Sequence, residues 1–361
     1  MNKNNIQLLE NKENIFIKEE RNLNLDIIRI LACFMVIFLH VAARYSYDVS
    51  IHSFNWKIYN FYDSCVRSSV PLFIMISGVF FLNPKKEITN KELYLKYISR
   101  LIIIYLVWST IYAIYAIYPI TSVTTDIKDI IKTIIKGPYH FWYIPIIIAL
   151  YIISPILKKI TKGLDKYIIK YFIMLFMISC IIKTISCLSI LPYYNTIKMV
   201  CNKIPIGILC QYYSYFLLGY FLYHIDISKL KKKIVYILGI VSPIICAILT
   251  FYISKNEGIF NQTLYDNFSI FTFFEATAIF VFFSTRKYDI KKYKKVICEL
   301  SKCTLGIYLI HILILSNITL KIDLCQYNAL FMVPVVSIII FVIALIIIFT
   351  LRKIKMVRKL V

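Results

Sequence analysis

The chain is poor in acid, in glycine and in proline. Its 361 residues hold 19 Asp and Glu against 42 Lys and Arg, with 8 glycines and 10 prolines. Charged residues make up 17%, whereas a soluble domain carries about 25%. A soluble domain of this length is thereby excluded, since it would lack both polar surface and turn-formers. The ten cysteines contain no C-x-x-C pair, which removes the usual thiol-based zinc and redox motifs. Most of them, such as Cys33, Cys180 and Cys246, lie inside apolar runs and read as small hydrophobes. Cys65, Cys201 and Cys325 fall near one side of the membrane and could pair, with free thiols the favoured reading. No internal repeat is visible.

What the chain has in abundance is apolar length. Hydrophobic residues make up 60%, and the mean hydropathy is +0.72. A bilayer core needs roughly 20 apolar residues per helix, and such stretches recur throughout. The expected fold is therefore all-α: a polytopic transmembrane helical bundle of about ten spans. They lie near 25–44, 60–82, 101–118, 141–157, 168–191, 206–224, 234–254, 268–285, 303–320 and 329–351. This gives a cytoplasmic N-terminal segment over 1–24, a transmembrane domain over 25–351 and a basic cytoplasmic tail over 352–361. The first apolar stretch follows a polar segment with Glu10, Glu13, Glu19 and Glu20, which does not fit a cleaved signal peptide.

The net charge of +23 is unevenly spread. Thirty basic residues fall in one set of loops and the tails, ten on the opposite side, and Arg29 and Lys183 lie within spans. Basic loops stay in the cytoplasm, so both termini are expected inside a plasma membrane. The surplus is a topology signal that also favours anionic lipid, and no nucleic-acid partner is expected. The segment 84–100 and the outer loop 119–139, with Ile127, Ile130, Ile131 and Ile134 at helical spacing, read as interfacial.

Ionisable groups inside spans are costly, roughly 2.5–3.5 kcal/mol each on insertion scales, and so need a reason to be there. Asp26, Arg29 and His40 fall on one face of the first span, Arg29 and His40 roughly 16 Å apart along the axis. Pairing at the interface and a helix contact would account for them, but a polar stripe between helices accounts for all three together. The imidazole suits proton transfer near neutral pH, and no neighbour has metal-ligand spacing to it, so no metal site is expected. In the second span Asp63 and Arg67 are one turn apart, Pro71 interrupts the helix ladder, and Ser77-Gly78 permits close approach. Tyr139-His140-Phe141-Trp142-Tyr143 sits at the level of an aromatic belt. Glu275 lies near mid-membrane with Lys183 as one candidate partner, and Tyr308 and His311 share a helix face.

Taken together these residues resemble the acyltransferase-3 family of membrane proteins. The resemblance rests on Leu25-Asp26-Ile-Ile-Arg29 through His40, on Val70-Pro71-Leu72-Phe73 with Ser77-Gly78, on His140-Phe141-Trp142-Tyr143 followed by Tyr151 and Pro155, and on Leu300 to His311 with Thr304, Gly306 and Tyr308. It implies transfer of an acyl group, typically acetyl, from cytoplasmic acetyl-CoA or another acyl-CoA to a hydroxyl of a cell-surface or lipid-linked glycan. It implies catalytic roles for His40, Arg29 and Asp26, and donor contacts at Lys96, Arg100, Arg67 and Ser77. His140, Trp142, Glu275, Tyr308 and His311 are further candidates. Acyl-CoA would be a co-substrate, with no cofactor held permanently. Members often carry two arginines three apart before the third span; here Tyr97 replaces the first and Arg100 matches the second, with Lys96 one turn away. No appended hydrolase-like domain is present, so direct transfer or completion by a separate extracellular transferase is expected. The alternative is a transporter or flippase for a lipid-linked glycan precursor, which ten spans with a polar stripe would also suit.

Overall fold

The computed structural model describes residues 22–117, 127–163, 165–286 and 291–361, without the side chains of Ile206 and Lys291. Glu10, Glu13, Glu19 and Glu20, nearly all of segment 1–24, the first part of loop 119–139 and Lys287 lie outside the described residues. The principal helices are α1 (Leu23–Ala43), α2 (Phe54–Ser64), α3 (Ser69–Phe81), α4 (Ser99–Ile117), α5 (Ile127–Lys136), α6 (Tyr143–Thr161), α7 (Lys166–Ile185), α8 (Tyr194–Lys203), α9 (Tyr212–His224), α10 (Lys229–Glu257), α11 (Ile270–Ser284), α12 (Lys294–Lys321) and α13 (Ala329–Leu351). No strand occurs among the described residues. In lipid every backbone N–H and C=O must be satisfied within the segment, and helices do so. Helix starts are set locally: Asn22 accepts from the N–H of Asn24 and Leu25, Ser53 from Trp56, and Ser269 from Thr272.

Nine helical stretches among the described residues are long and apolar enough to cross a membrane. The tenth expected span, 206–224, is different. Only α9 is regular, at 13 residues, or about 20 Å by helix rise, because Ile206–Ile208 forms a 3-10 turn and Gln211 is extended. Its residues from Ser214 to Leu222 are buried. Tyr215 donates to the carbonyl of Asn267 at one end (2.6 Å) and Tyr223 accepts from Asn22 at the other (2.5 Å). The helix thus runs through protein rather than lipid, and needs no full-length apolar coat.

Two glycines make that passage possible. A Cβ on Gly78 of α3 would overlap the backbone of Phe216, and one on Gly219 of α9 would overlap the backbone of Met75. Each glycine receives the other helix's main chain, as small residues do at membrane helix contacts. The break between α2 and α3 falls at Cys65–Ser68. Pro71 explains it: with no N–H and a ring that clashes four residues back, it denies a helical bond to Arg67.

The molecule is polar inside and apolar outside. Ile102, Ile103 and Leu106 of α4, Ile240, Ile244 and Ile248 of α10 and Ile339 and Ile346 of α13 are exposed, while Asp26, Asp63, His140, Glu275 and His311 are buried. Helix α1 lies between two packed bodies. Ile28, Ala32 and Met35 join the one built from α3, α6, α7, α9 and α11. Cys33, Val36, Ile37 and Val41 join the one built with α12 and α13. The described ends of the chain share one end of the bundle: Asn24 donates to the carbonyls of Ser284 and Arg286, and Arg352 to that of Lys302.

The expected interfacial segments are only partly so. Residues 90–98 form a short turn and a π turn that run straight into α4, with Leu93 and Ile98 buried. Helix α5 lies against α4, where Tyr105 donates to the carbonyl of Ile135 (2.8 Å); Ile127, Ile131 and Ile135 remain exposed. All ten cysteines are free.

Candidate active site

A cavity of about 360 Å³ lies at the end of α1 away from Asn22. Its wall includes His40 and Val36 of α1, Arg67 and Ser69 at the α2–α3 break, Tyr139, His140, Trp142 and Tyr143 at the start of α6, Gln262, Tyr265 and Asn267 from the α10–α11 connection, and Tyr308 of α12. Helix α1 reaches it because its apolar faces are taken by the two packed bodies, which turns Arg29 and His40 together toward α12.

Three of the five histidines meet here. The ring centroids of His40 and His311 are 5.2 Å apart, those of His140 and His311 5.3 Å, and those of His40 and His140 6.4 Å. The hydrogen bonds around them fix two tautomers. His311 Nδ1 lies 2.6 Å from the carbonyl of Tyr308, which only accepts, so Nδ1 carries the proton and Nε2 is bare. Tyr112 gives its hydroxyl proton to the carbonyl of Leu309 (2.9 Å). Its oxygen therefore accepts from His140 Nε2 at 3.3 Å, leaving Nδ1 bare. Both bare nitrogens are buried and make no hydrogen bond within the protein. Tyr308 also donates to the main-chain oxygen of His140, tying α12 to the 139–142 turn. His40 Nδ1 lies 3.5 Å from the Tyr139 hydroxyl. Buried polar atoms of a folded protein are almost always satisfied, so two orphaned imidazole nitrogens beside a cavity mark a place built for something other than packing.

Charge stands beside the imidazoles. Arg67 is paired with Asp63 and its guanidinium lies 4.0 Å from the centre of the Tyr265 ring. Glu275, fully inside α11, accepts from the backbone N–H of Ser68 at 3.3 Å, while its other oxygen makes no hydrogen bond. The carboxylate thus faces the α2–α3 break. Lys183, its sequence-based partner, makes no ion pair with it among the described residues; the donor comes from the break instead. No group of three His, Cys, Asp or Glu among the described residues is placed to hold a metal ion.

Toward the other end of α1, Asp26 and Arg29 pair at 3.3 Å. Ser301 of α12 joins both, donating to Asp26 (2.5 Å) and accepting from Arg29 (3.2 Å). Arg29 is within electrostatic reach of Tyr143 and Tyr151, and both tyrosines sit against Ser77. Since Tyr143 also lines the cavity, a polar seam links Arg29 to His40 between the two packed bodies.

The four expected donor contacts do not form one group. Arg67 belongs to the cavity wall and Ser77 to the seam. Arg100 lies at the opposite end, where its Nε donates to the carbonyl of Lys359 (3.0 Å). Lys96 does not join it: it falls in the π turn, whose wider winding breaks the one-turn relation to Arg100, and it pairs with Glu92 at 2.7 Å on the surface. Trp142 is partly exposed at the cavity mouth, 6.0 Å from Tyr212. Sequence reasoning named His40, His140 and His311 separately and missed that they meet. It missed Tyr112 of α4 and Gln262, Tyr265 and Asn267 of the α10–α11 connection altogether, for which spacing offers no signal because they lie far from the histidines in the chain.

A family model described as an acyltransferase domain matches residues 22–353, nearly the whole chain. No curated protein and no solved structure matches.

Proposed function

The chain belongs to the acyltransferase-3 family, and from that premise we propose that it transfers an acyl group from cytoplasmic acyl-CoA to a hydroxyl of a cell-surface or lipid-linked glycan, with His40 as general base. The observation that carries this reading is the imidazole cluster on a cavity, joined by a polar seam to Arg29 on the same helix face. With Nδ1–H of His40 directed at Tyr139, Nε2 takes the proton of the acceptor hydroxyl. The alkoxide oxygen attacks the thioester carbonyl carbon and the carbon–sulfur bond breaks. The imidazolium then returns its proton to the leaving thiolate. The bare nitrogens of His140 and His311 accept hydrogen bonds from the acceptor or from the imidazolium as it forms. Asp26 and Ser301 hold Arg29, which guides the donor's arm along the seam. Roughly 16 Å of helix rise separates Arg29 from His40, a span a pantetheine arm can cover.

In this reading the basic end of the bundle, with both ends of the chain, faces the cytoplasm of a plasma membrane, and the cavity opens outward. A surface glycan acceptor then enters from one side and the donor from the other. Acetyl is the acyl group favoured by the family resemblance. A separate extracellular transferase would be needed only if the acceptor cannot reach the cavity.

The test is acyl transfer by purified protein in proteoliposomes, with acyl-CoA on the basic side. His40→Ala should lower turnover by about 100- to 10,000-fold, the range of a lost general base, with an unchanged elution profile and melting curve. Full turnover in that variant would sink the proposal. Substrate movement without any acyl donor would point to the transporter reading instead.

A further inference from the structure

Helix α5 leads straight into the cavity wall. Only Gly137 and Pro138 separate its last residue, Lys136, from Tyr139, whose hydroxyl lies 3.5 Å from His40 Nδ1. The connection has little slack. Tyr105 of α4 donates to the carbonyl of Ile135 (2.8 Å). Gly137 takes a left-handed φ of 65° so close to α4 that a Cβ there would fall 2.6 Å from the Tyr105 hydroxyl. A shift of α5 is therefore passed on to Tyr139 and His140. The side chains of α5 are sorted by face. At about 100° per residue, Ile130 and Ile134 share one edge of an apolar arc and are half-buried. Ile127, Ile131 and Ile135 follow, and are 69%, 51% and 67% exposed. Lys128, Lys132 and Lys136 come next around the helix, with Asp129 and Thr133 beyond them. A shallow groove of about 420 Å³ is lined by Ile131, Ile135 and all three lysines. Single exposed apolar side chains are ordinary, but three along one stripe mark a surface that meets something apolar. Lysines beside such a stripe lay their methylenes along it and raise their ammonium groups to the polar boundary. Apolar side chains for acyl chains and, one step around the helix, cations for phosphate match the chemistry at the edge of a bilayer leaflet.

We propose that α5 is a docking surface for anionic phospholipid of the leaflet at the cavity end of the bundle, and that lipid seated there steadies the 139–142 turn. Ile127, Ile131 and Ile135 enter the acyl-chain layer, and Lys128, Lys132 and Lys136 hold headgroup phosphate. A helix held in this way keeps Gly137 against Tyr105, and so keeps Tyr139 and His140 at their distances from His40. Docking depends on the helix alone, whereas its effect on turnover rests on the acyl-transfer reading.

The experiment uses full-length protein in nanodiscs. In a cysteine-free background, a nitroxide on Ile131→Cys should be open to oxygen and closed to an aqueous nickel chelate, and one on Thr133→Cys the reverse. Equal access of the chelate to both sites would overturn the proposal. So would a nitroxide on Ile131→Cys that is closed to both reagents, the mark of a covering protein surface. The second arm compares wild type with the triple variant Lys128→Gln, Lys132→Gln, Lys136→Gln. Replacing part of the phosphatidylcholine by phosphatidylglycerol should raise wild-type turnover about threefold and leave the variant at its phosphatidylcholine rate, with coincident melting curves. A variant stimulated as strongly as wild type would also overturn the proposal. Absence of acyl transfer in every lipid would instead defeat the acyl-transfer reading, and the nitroxide arm would still decide the docking.

Discussion

His311 and His140 hold the clearest chemistry at the scale of single residues. Each has one ring nitrogen spent on a fixed partner and the other bare in a buried setting. Their contribution should therefore appear in turnover and not in donor binding. His311→Ala is expected to lower kcat by at least tenfold with the KM for acyl-CoA within about twofold of wild type; a rise in KM at constant kcat would count against this role. Glu275 poses a different question. Its role in the structure is to accept the N–H of Ser68 at the helix break. Glu275→Gln keeps an acceptor and should melt within a degree or two of wild type in detergent. Glu275→Ala leaves a buried N–H unpaired, which costs about 1–3 kcal/mol, and should melt clearly lower. Equal melting of the two variants would mean that the Ser68 contact is unimportant to stability.

Among the elements, the crossing of α3 and α9 can be broken with a single methyl group. Gly78→Ala and Gly219→Ala each drive a Cβ into backbone, which cannot swing aside as a side chain would. Overpacking of this kind costs about 1–3 kcal/mol and sometimes more. Gly207→Ala is the matched control, since nothing lies within 4 Å of its would-be Cβ. Thermal unfolding in detergent should separate the first two from the third; equal midpoints would show that the crossing is looser than described. The same crossing explains why the sequence reads α9 as an ordinary span. Apolar content counts equally toward a neighbouring helix and toward lipid, so hydropathy does not tell a 13-residue helix inside protein from a longer one in the bilayer. Lys96 and Arg100 illustrate the companion problem. Their four-residue spacing implies one face only if the winding between them is α, and the π turn over Leu93–Ile98 removes that condition.

Across the whole molecule, the distribution of basic residues makes a topological prediction. With cysteines introduced one at a time in an otherwise cysteine-free protein, Lys255→Cys should react with an impermeant maleimide on intact cells, and Lys355→Cys only after the membrane is opened. The reverse pattern would invert the bundle and put its basic end outside. The apolar coat, the helical class, the share of the chain that forms the bundle and the pairing of Arg29 with His40 on one face all follow from composition and period, because lipid allows few backbone solutions and helical geometry fixes which side chains align. The meeting of His40 with His140 and His311, the placing of Glu275 against Ser68 and the folding of the tail onto Arg100 were decided by tertiary structure alone. These contacts join residues far apart in the chain, and which helix faces which depends on packing of side chains that local spacing does not record.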